Sequence, residues 1–258
     1  MNIHLYGTDA RLGFCRDYLI KENFRYTGRI ILLPIPTTKD GKSLHGCKVS
    51  LEDFVKECAP GDAAVGYGIS REVRRALAEV GASAIDVSRD EEYLSENATL
   101  TAIGTVGHIL TEERSAPEGL SIGVIGYGRI GQRLVNILMF LSGNVTVFTS
   151  KSELRSELCM LGVCGVDSLS ADSALTLEKL ASLDILINTA PARLLGERAR
   201  EALCSVRVIE LASGDNMPEG VAVERLASVP AVMYPKSAGE ALARSVLRML
   251  GEGRDKYQ

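Results

Sequence analysis

The stretch that decides the fold runs Gly119-Leu120-Ser121-Ile122-Gly123-Val124-Ile125-Gly126-Tyr127-Gly128-Arg129-Ile130-Gly131-Gln132-Arg133-Leu134-Val135-Asn136-Ile137-Leu138. Ser121 to Ile125 is a short apolar run suited to a buried parallel strand, and from Ile130 the apolar residues recur at helical spacing. Strand, glycine turn and helix thus follow one another in the order a dinucleotide site needs. Gly126 permits the tight turn, Gly128 lets the backbone come close to a pyrophosphate, and Gly131 lets the helix pack against the strand. Arg129 and Ile130 then place amide N–H groups at the helix start, facing the phosphates. A GxGxxG also occurs as a plain glycine-rich turn, so the strand before it and the helix after it carry the dinucleotide reading.

Working outward, 258 residues suffice for two modest domains sharing one interface or for one large one. Hydrophobic and charged contents of 46% and 24% are those of an ordinary soluble globular chain, and a net charge of -4 gives no general attraction to nucleic acid or anionic membrane. The N-terminus runs straight into a strand-like segment without a signal-peptide pattern, and no apolar run approaches membrane-spanning length, so the expected location is cytoplasmic. Cys15, Cys47, Cys58, Cys159, Cys164 and Cys204 form no CxxC and are expected as reduced core residues. The three histidines lack ligand spacing, so no metal site is expected.

The first half alternates strands and helices. Asn2 to Tyr6 closes on Gly7, and Asp9-Ala10-Arg11 opens a helix to about Lys21, which places Thr8, Asp9 and Arg11 at the carboxyl end of a strand, where open α/β sheets bind ligands. Asp9 also suits a helix N-cap, and Arg11 is either an anion-binding group or a solvated first-turn residue. Strands are expected at Arg29 to Pro34, Ala63 to Gly68 and Ala84 to Val87, with a loop over Pro34 to Gly41 and helices from Ser50 and from Ser70 to Gly81. Repeated β-α units at short intervals argue for a parallel sheet with covered faces. Asp90 to about Glu113 reads as one long helix whose glycines and β-branched residues need tertiary packing. Gly104 and Gly107 fit close helix packing; alternatively the helix crosses between two domains, with Asn97 and Thr101 at i, i+4 presenting polar atoms to a cleft. His108 reads as packed or partly exposed rather than catalytic.

In the second half Asn144 to Phe148 is the second strand of the nucleotide domain, and Thr149-Ser150-Lys151-Ser152 follows at its end. An NAD site usually places an acid there for the ribose 2′-OH, whereas hydroxyls and Lys151 suit a 2′-phosphate; NADP is therefore favoured over NAD, with Glu153 counting the other way. Leu183 to Pro191 and Arg207 to Gly214 are strands that direct Asn188, Thr189 and Ala190 toward the nicotinamide half of the cofactor, although ordinary turn chemistry explains Pro191 and Gly214 as well. Pro230 to Tyr234 reads as a last short strand, Lys236 to Leu250 as a closing helix and the residues from Gly251 as a frayed tail. Lys236 opposes the dipole at its helix start, so it is either a substrate clamp or an exposed helix-start residue.

Gly7-Thr8-Asp9-Ala10-Arg11, Asn97 to Gly104, Gly126 to Gly131, Asp184 to Pro191, Leu211-Ala212-Ser213 and Pro235-Lys236-Ser237-Ala238-Gly239 occur in this order. The combination resembles the family of the dipicolinate synthase A subunit over nearly the whole chain. What the resemblance implies is an NAD(P)-dependent protein that oxidises a dihydrodipicolinate-type precursor to pyridine-2,6-dicarboxylate in spore-forming bacteria, beside a smaller, flavoprotein-like B subunit. The family pattern has a proline and a glutamate where Leu100 and Ile103 stand, and a Gly-Leu-Pro-Gly turn where Ser228-Val229-Pro230-Ala231 stands. These departures leave the exact substrate, the general base and retained turnover open.

The expected fold is a Rossmann-type nucleotide-binding domain plus a smaller flavodoxin-like parallel α/β N-terminal domain, joined by two helices. Residues 1–112 form the substrate domain, 113–235 the NAD(P)-binding domain and 236–258 a helix returning to the first. Asn97, Thr101, Lys236 and Arg11 are the expected groups for a small dicarboxylate substrate. Their meeting in one cleft, and a hinge there, rest on the chain crossing between its halves only twice. A D-2-hydroxy-acid dehydrogenase wants a late catalytic histidine and an arginine beside the strand ending at Ala212, and this chain has no histidine after His108. A non-catalytic NAD(P)-binding partner subunit is the other alternative, and the sequence leaves a homo-oligomer open.

Overall fold

The computed structural model describes residues 2–142, 144–167 and 173–251. The chain forms two compact units, Met1–Leu100 with Pro230–Gln258, and Thr101–Val229. The expected boundaries after residues 112 and 235 lie some residues beyond these two breaks.

The first unit contains β1 (Asn2–Leu5), α1 (Ala10–Lys21), β2 (Arg29–Leu32), α2 (Leu51–Glu57), β3 (Ala63–Gly66), α3 (Arg71–Glu79), β4 (Ser83–Asp86) and the start of α4 (Glu91–Glu112). Its strands are all parallel and pair in the order β1-β2-β3-β4. Alternate side chains of β2 serve opposite faces of the sheet, which is why the run is apolar throughout. Ile30 and Leu32 pack with Leu12, Cys15 and Leu19 of α1, while Ile31 packs with Phe54 of α2 and Leu77 of α3. The helices start where hydroxyl or carboxylate caps are available: Asp9 accepts from the Arg11 N–H, Ser50 from Asp53 and Ser70 from Val73.

The second unit contains β5 (Ser121–Ile125), α5 (Arg129–Leu141), β6 (Asn144–Thr149), α6 (Ser152–Met160), β7 (Cys164–Asp167), α7 (Ala174–Ala181), β8 (Ile185–Asn188), α8 (Ala199–Ala202), β9 (Arg207–Glu210) and β10 (Val223–Arg225). Among the described residues its sheet has six parallel strands in the order β10-β9-β8-β5-β6-β7. The chain begins at β5 in the middle, winds outward through β6 and β7, then returns to β8 on the other side. This is the doubly wound order, and the reversal leaves a crevice at the carboxyl ends of β5 and β8.

Helix α4 belongs to both cores: Tyr93 packs in the first, and Ala102, Val106 and Ile109 pack in the second. Its hydroxyls are absorbed by the turn before them, Thr99 donating to the Ser95 carbonyl at 2.9 Å and Thr105 to that of Thr101 at 2.8 Å.

Three expectations are corrected. Pro230 to Tyr234 is not a strand but mostly α9 (Val229–Met233), followed by α10 (Pro235–Gly251). Pro230 has no N–H for a ladder yet fits a first helical turn, and Val232 and Met233 are exposed, so the apolar run was no sign of a buried strand. The cysteines divide: Cys15 and Cys58 are buried, but Cys159, Cys164 and Cys204 are exposed, and all six are free. Gly251 ends α10 rather than opening a tail, and residues 252–258 lie outside the described residues. Helices α6, α7 and α8 and strands β7 and β10 had no counterpart among the elements expected from the sequence.

On α10, a Cβ built at Gly239 would lie 2.5 Å from the Arg11 carbonyl oxygen. Glycine therefore sets the close approach of α10 to α1 within the first unit.

Candidate functional site

The glycine turn joins β5 to α5 at the strand reversal, and its three glycines are there for different reasons. Gly126 has φ +88°, and a Cβ on it would lie 2.8 Å from Thr189 Oγ1. Gly131 is barred from carrying a side chain because its Cβ would lie 2.3 Å from the Gly126 carbonyl oxygen. Gly128 differs from both. Its φ of -83° suits any residue, and a Cβ there would meet nothing within 4 Å. The protein's own packing does not require glycine at 128, so the open space over it fits a group that approaches the backbone from outside. Helix α5 begins at that point with no side-chain cap and no acid in its first turn, an arrangement favourable to an anion. Arg129 is exposed and Ile130 half-buried at the same helix start.

Across the crevice, β8 ends at Asn188, which is fully buried. Its amide nitrogen donates to both carboxylate oxygens of Glu210, at 2.9 and 3.1 Å, and to the Ala190 carbonyl at 3.2 Å; its amide oxygen accepts from the Ala190 N–H at 3.0 Å. Thr189 turns its hydroxyl back to the Ile125 carbonyl at 2.9 Å. The expected Asn188, Thr189 and Ala190 therefore lie directly against the glycine turn. Glu210 was passed over in the sequence, although its place at the end of a buried strand run marks an acid that must find donors.

At the end of β6, Thr149 is buried while Ser150 and Lys151 are exposed. The Lys151 N–H donates to Thr149 Oγ1 at 3.3 Å. Arg155, which sequence reasoning also missed, donates from Nη1 to the Thr149 carbonyl at 3.1 Å. The signal for it was position: Arg155 falls in the first turns of α6, just beyond the Lys151 cap at the end of β6. Glu153 is exposed in the first turn of α6.

The other expected site residues have the following surroundings. Arg11 is buried, and its guanidinium is held by Asp9 at 2.6 Å and by the Ile35 carbonyl at 3.2 Å. Much of its charge is thereby balanced inside the first unit. Lys236 is exposed in the first turn of α10. Asn97 is half-buried and Thr101 buried, one turn apart on α4, and both have polar partners. His108 is bonded to Glu224, whose carboxylate also takes a hydrogen bond from Arg207 Nη2 at 2.8 Å. Burial would raise the Glu224 pKa, but the hydrogen bonds from Arg207 and His108 outweigh it and hold the group below its ordinary value. Arg207 begins β9, so His108 sits toward the edge of the sheet opposite the glycine turn.

Among the described residues no group of three or more His, Cys, Asp or Glu could hold a metal ion, and no helix is long and apolar enough to cross a membrane.

In comparison with known proteins, no protein-family model matches the chain. The architecture is that of the Rossmann-type dehydrogenases. It is similar to the transhydrogenase of Sinorhizobium meliloti (TM-score 0.65, 18% identity, 98% of this chain and 94% of that one) and to D-lactate dehydrogenase of Escherichia coli (TM-score 0.57, 14% identity, 98% and 97%). The particular resemblance read from the motifs is also present: the chain is similar to the A subunit of dipicolinate synthase from Bacillus subtilis. The sequences are 22% identical over 238 residues, 86% of this chain and 77% of the relative, and the crystal structure of that relative gives a TM-score of 0.79 with 19% identity over 99% and 97% of the two chains. Structural likeness at such identities is a likeness of fold.

Proposed function

We propose that this chain is a cytoplasmic NAD(P)-dependent oxidoreductase of the same kind as the dipicolinate synthase A subunit, oxidising a dihydrodipicolinate-type precursor to pyridine-2,6-dicarboxylate. Gly128 carries the cofactor part: it is a glycine that neither backbone conformation nor packing demands, at the reversal point of a doubly wound sheet. When bound, the dinucleotide supplies a two-electron acceptor. The substrate gives up one hydride and one proton, and aromatisation supplies driving force.

In this reading Gly126, Gly128, Arg129, Ile130 and Gly131 cradle the pyrophosphate. Thr149, Ser150 and Lys151 take the adenosine ribose, with NADP preferred because hydroxyls and Lys151 stand where an NAD site usually has an acid. Asn188, Thr189 and Ala190 line the path toward the nicotinamide. Asn97 and Thr101 hydrogen-bond the substrate, and Lys236 neutralises a carboxylate. Arg11 retains a role as a donor through Nη1, the guanidinium nitrogen that holds neither Asp9 nor the Ile35 carbonyl. The curated relative is named as one subunit of its synthase, which supports a second, flavoprotein-like subunit in this reading and, with the resemblance, a place in sporulation.

One observation favours a second reading, a non-catalytic NAD(P)-binding protein: Ile103 is 43% exposed where the family pattern has a glutamate. Titration with NADPH and NADH followed by a turnover assay separates the two. Lys236→Met should cut turnover or raise KM at least tenfold, about 1.4 kcal/mol, and unchanged kinetics on a confirmed substrate would remove Lys236 from the site.

A further inference from the structure

We infer that Glu210 is the positioning residue of the crevice in the second unit, holding the Asn188–Ala190 turn at the distance from Gly126 that the glycine turn requires. Glu210 and Asn188 are register partners across β9 and β8, each the last residue of its strand. Both are buried, at 2% and 0% exposure. The carboxylate is an acceptor at both oxygens and joins two turns: it takes the Asn188 amide and, through Oε1, the Ala212 N–H at 3.1 Å. Asn188 is thereby fixed in one amide orientation, nitrogen toward Glu210 and oxygen toward the Ala190 N–H.

The next two residues transmit this constraint. Thr189 bonds back to the Ile125 carbonyl, and its hydroxyl and the Ala190 Cβ lie 2.8 and 3.3 Å from where a Gly126 Cβ would be. Glu210 is not among the groups nearest Gly126, yet the turn that bounds Gly126 and Gly131 depends on it through Asn188. An acid is needed because both acceptor positions face N–H donors. A glutamine at 210 would turn its own N–H₂ toward one of them, leaving a buried donor unpaired.

The binding arm of the test rests on the dinucleotide reading; the exchange arm does not. With the full-length protein and no cofactor, Glu210→Gln should speed amide hydrogen exchange in segments 125–131 and 186–192, while circular dichroism stays native. Titrated with NADPH and NADH, the same variant should bind at least tenfold more weakly. Asn188→Asp alone should lose as much, because two carboxylates then face each other. The double variant Asn188→Asp/Glu210→Gln restores one donor–acceptor pair between the two side chains, although the Ala190 carbonyl loses its donor, and should bind at least threefold more tightly than Asn188→Asp alone, a partial rescue that general destabilisation would not give.

Exchange changes confined to β9, or native affinity in Glu210→Gln, would overturn the inference. If Glu210→Gln does not fold, rescue by the double variant still supports the pairing, and failure of both to fold makes Glu210 a folding residue and overturns the positioning role. A native chain that binds neither nucleotide would defeat the cofactor reading alone, leaving exchange to decide the role of Glu210.

Discussion

The two units are built from the same repeating β-α unit, yet only the second has a strand reversal. In the first, the strands follow one another across the sheet in chain order, without the reversal that flavodoxin's 2-1-3-4-5 order contains. Polar groups at its carboxyl edge satisfy one another: Arg11 holds Asp9, Asp86 accepts from the Gly68 and Ser88 N–H groups, and Thr37 accepts from the Tyr67 N–H. In the second unit, the chain returns to the middle of the sheet, and the edge there keeps an uncapped helix start and an open space over Gly128. β-α alternation alone therefore does not make a ligand crevice; the order of the strands does.

The largest expected effects separate packing glycines from ligand glycines. A Cβ at Gly28 would lie 1.9 Å from the Gly61 carbonyl oxygen in the first unit, and one at Gly131 would lie 2.3 Å from that of Gly126 in the second. Neither neighbour can yield without moving backbone. Gly28→Val and Gly131→Val should each cost about 3 kcal/mol or more, read as a fall in denaturation midpoint. A native-like midpoint in either would mean that the close backbone approach is not what that glycine serves.

Gly128→Val should do the opposite. Its backbone geometry accepts valine and its surroundings have room, so the midpoint should stay native. Affinity for NADPH and NADH should fall at least thirtyfold, about 2 kcal/mol. Retained affinity would remove the distinction between the units, since the glycine turn would then be a turn and nothing more.

A smaller effect sharpens the contrast within the crevice. Lys151→Ala should weaken NADPH but not NADH, by about 1 to 2 kcal/mol for one charge-assisted contact. Equal losses for both cofactors would count against a 2′-phosphate role.

Much of this was readable from residues alone. The element carrying the glycine fingerprint was readable because strand, turn and helix each leave a local mark, and Asp9, Ser50 and Ser70 marked helix starts for the same reason. Strand order and partner choice leave no such mark. That is why β10 went unseen, a three-residue strand with little hydrophobic pattern, and why Glu210 did too, since its role exists only through its register with Asn188. The Val229–Met233 segment failed for another reason: a short run that is mostly apolar fits a strand or a helical turn equally well, and exposure rather than periodicity decides.

The smallest expected effect concerns pH and tests whether the charge cluster at the far edge of the second unit is only structural. Glu224 is held below its ordinary 4.5 by Arg207 and His108, with Arg207 also 3.9 Å from Glu113. A depressed carboxylate contributes stability that is fully present above its unfolded pKa and is lost as pH falls through its folded pKa. Glu224 is 35% exposed at its side chain, so solvent screening limits the contribution to about 1 kcal/mol at most. Arg207→Met removes the principal donor. The stability difference between native chain and variant should be constant from neutral pH down to about pH 5 and shrink below it, as the unfolded chain begins to take up the proton. Asp62 in the first unit, depressed chiefly by its hydrogen bond from Arg29, should give Arg29→Met the same sign of dependence from a lower starting point, its ordinary value being 3.8. A difference for Arg207→Met that stayed constant down to about pH 3, below the unfolded carboxylate range, would show that the arginine stabilises β9 and β10 without acting through the Glu224 charge. Nucleotide affinity unchanged in Arg207→Met would keep this edge structural and leave ligand chemistry to the opposite one.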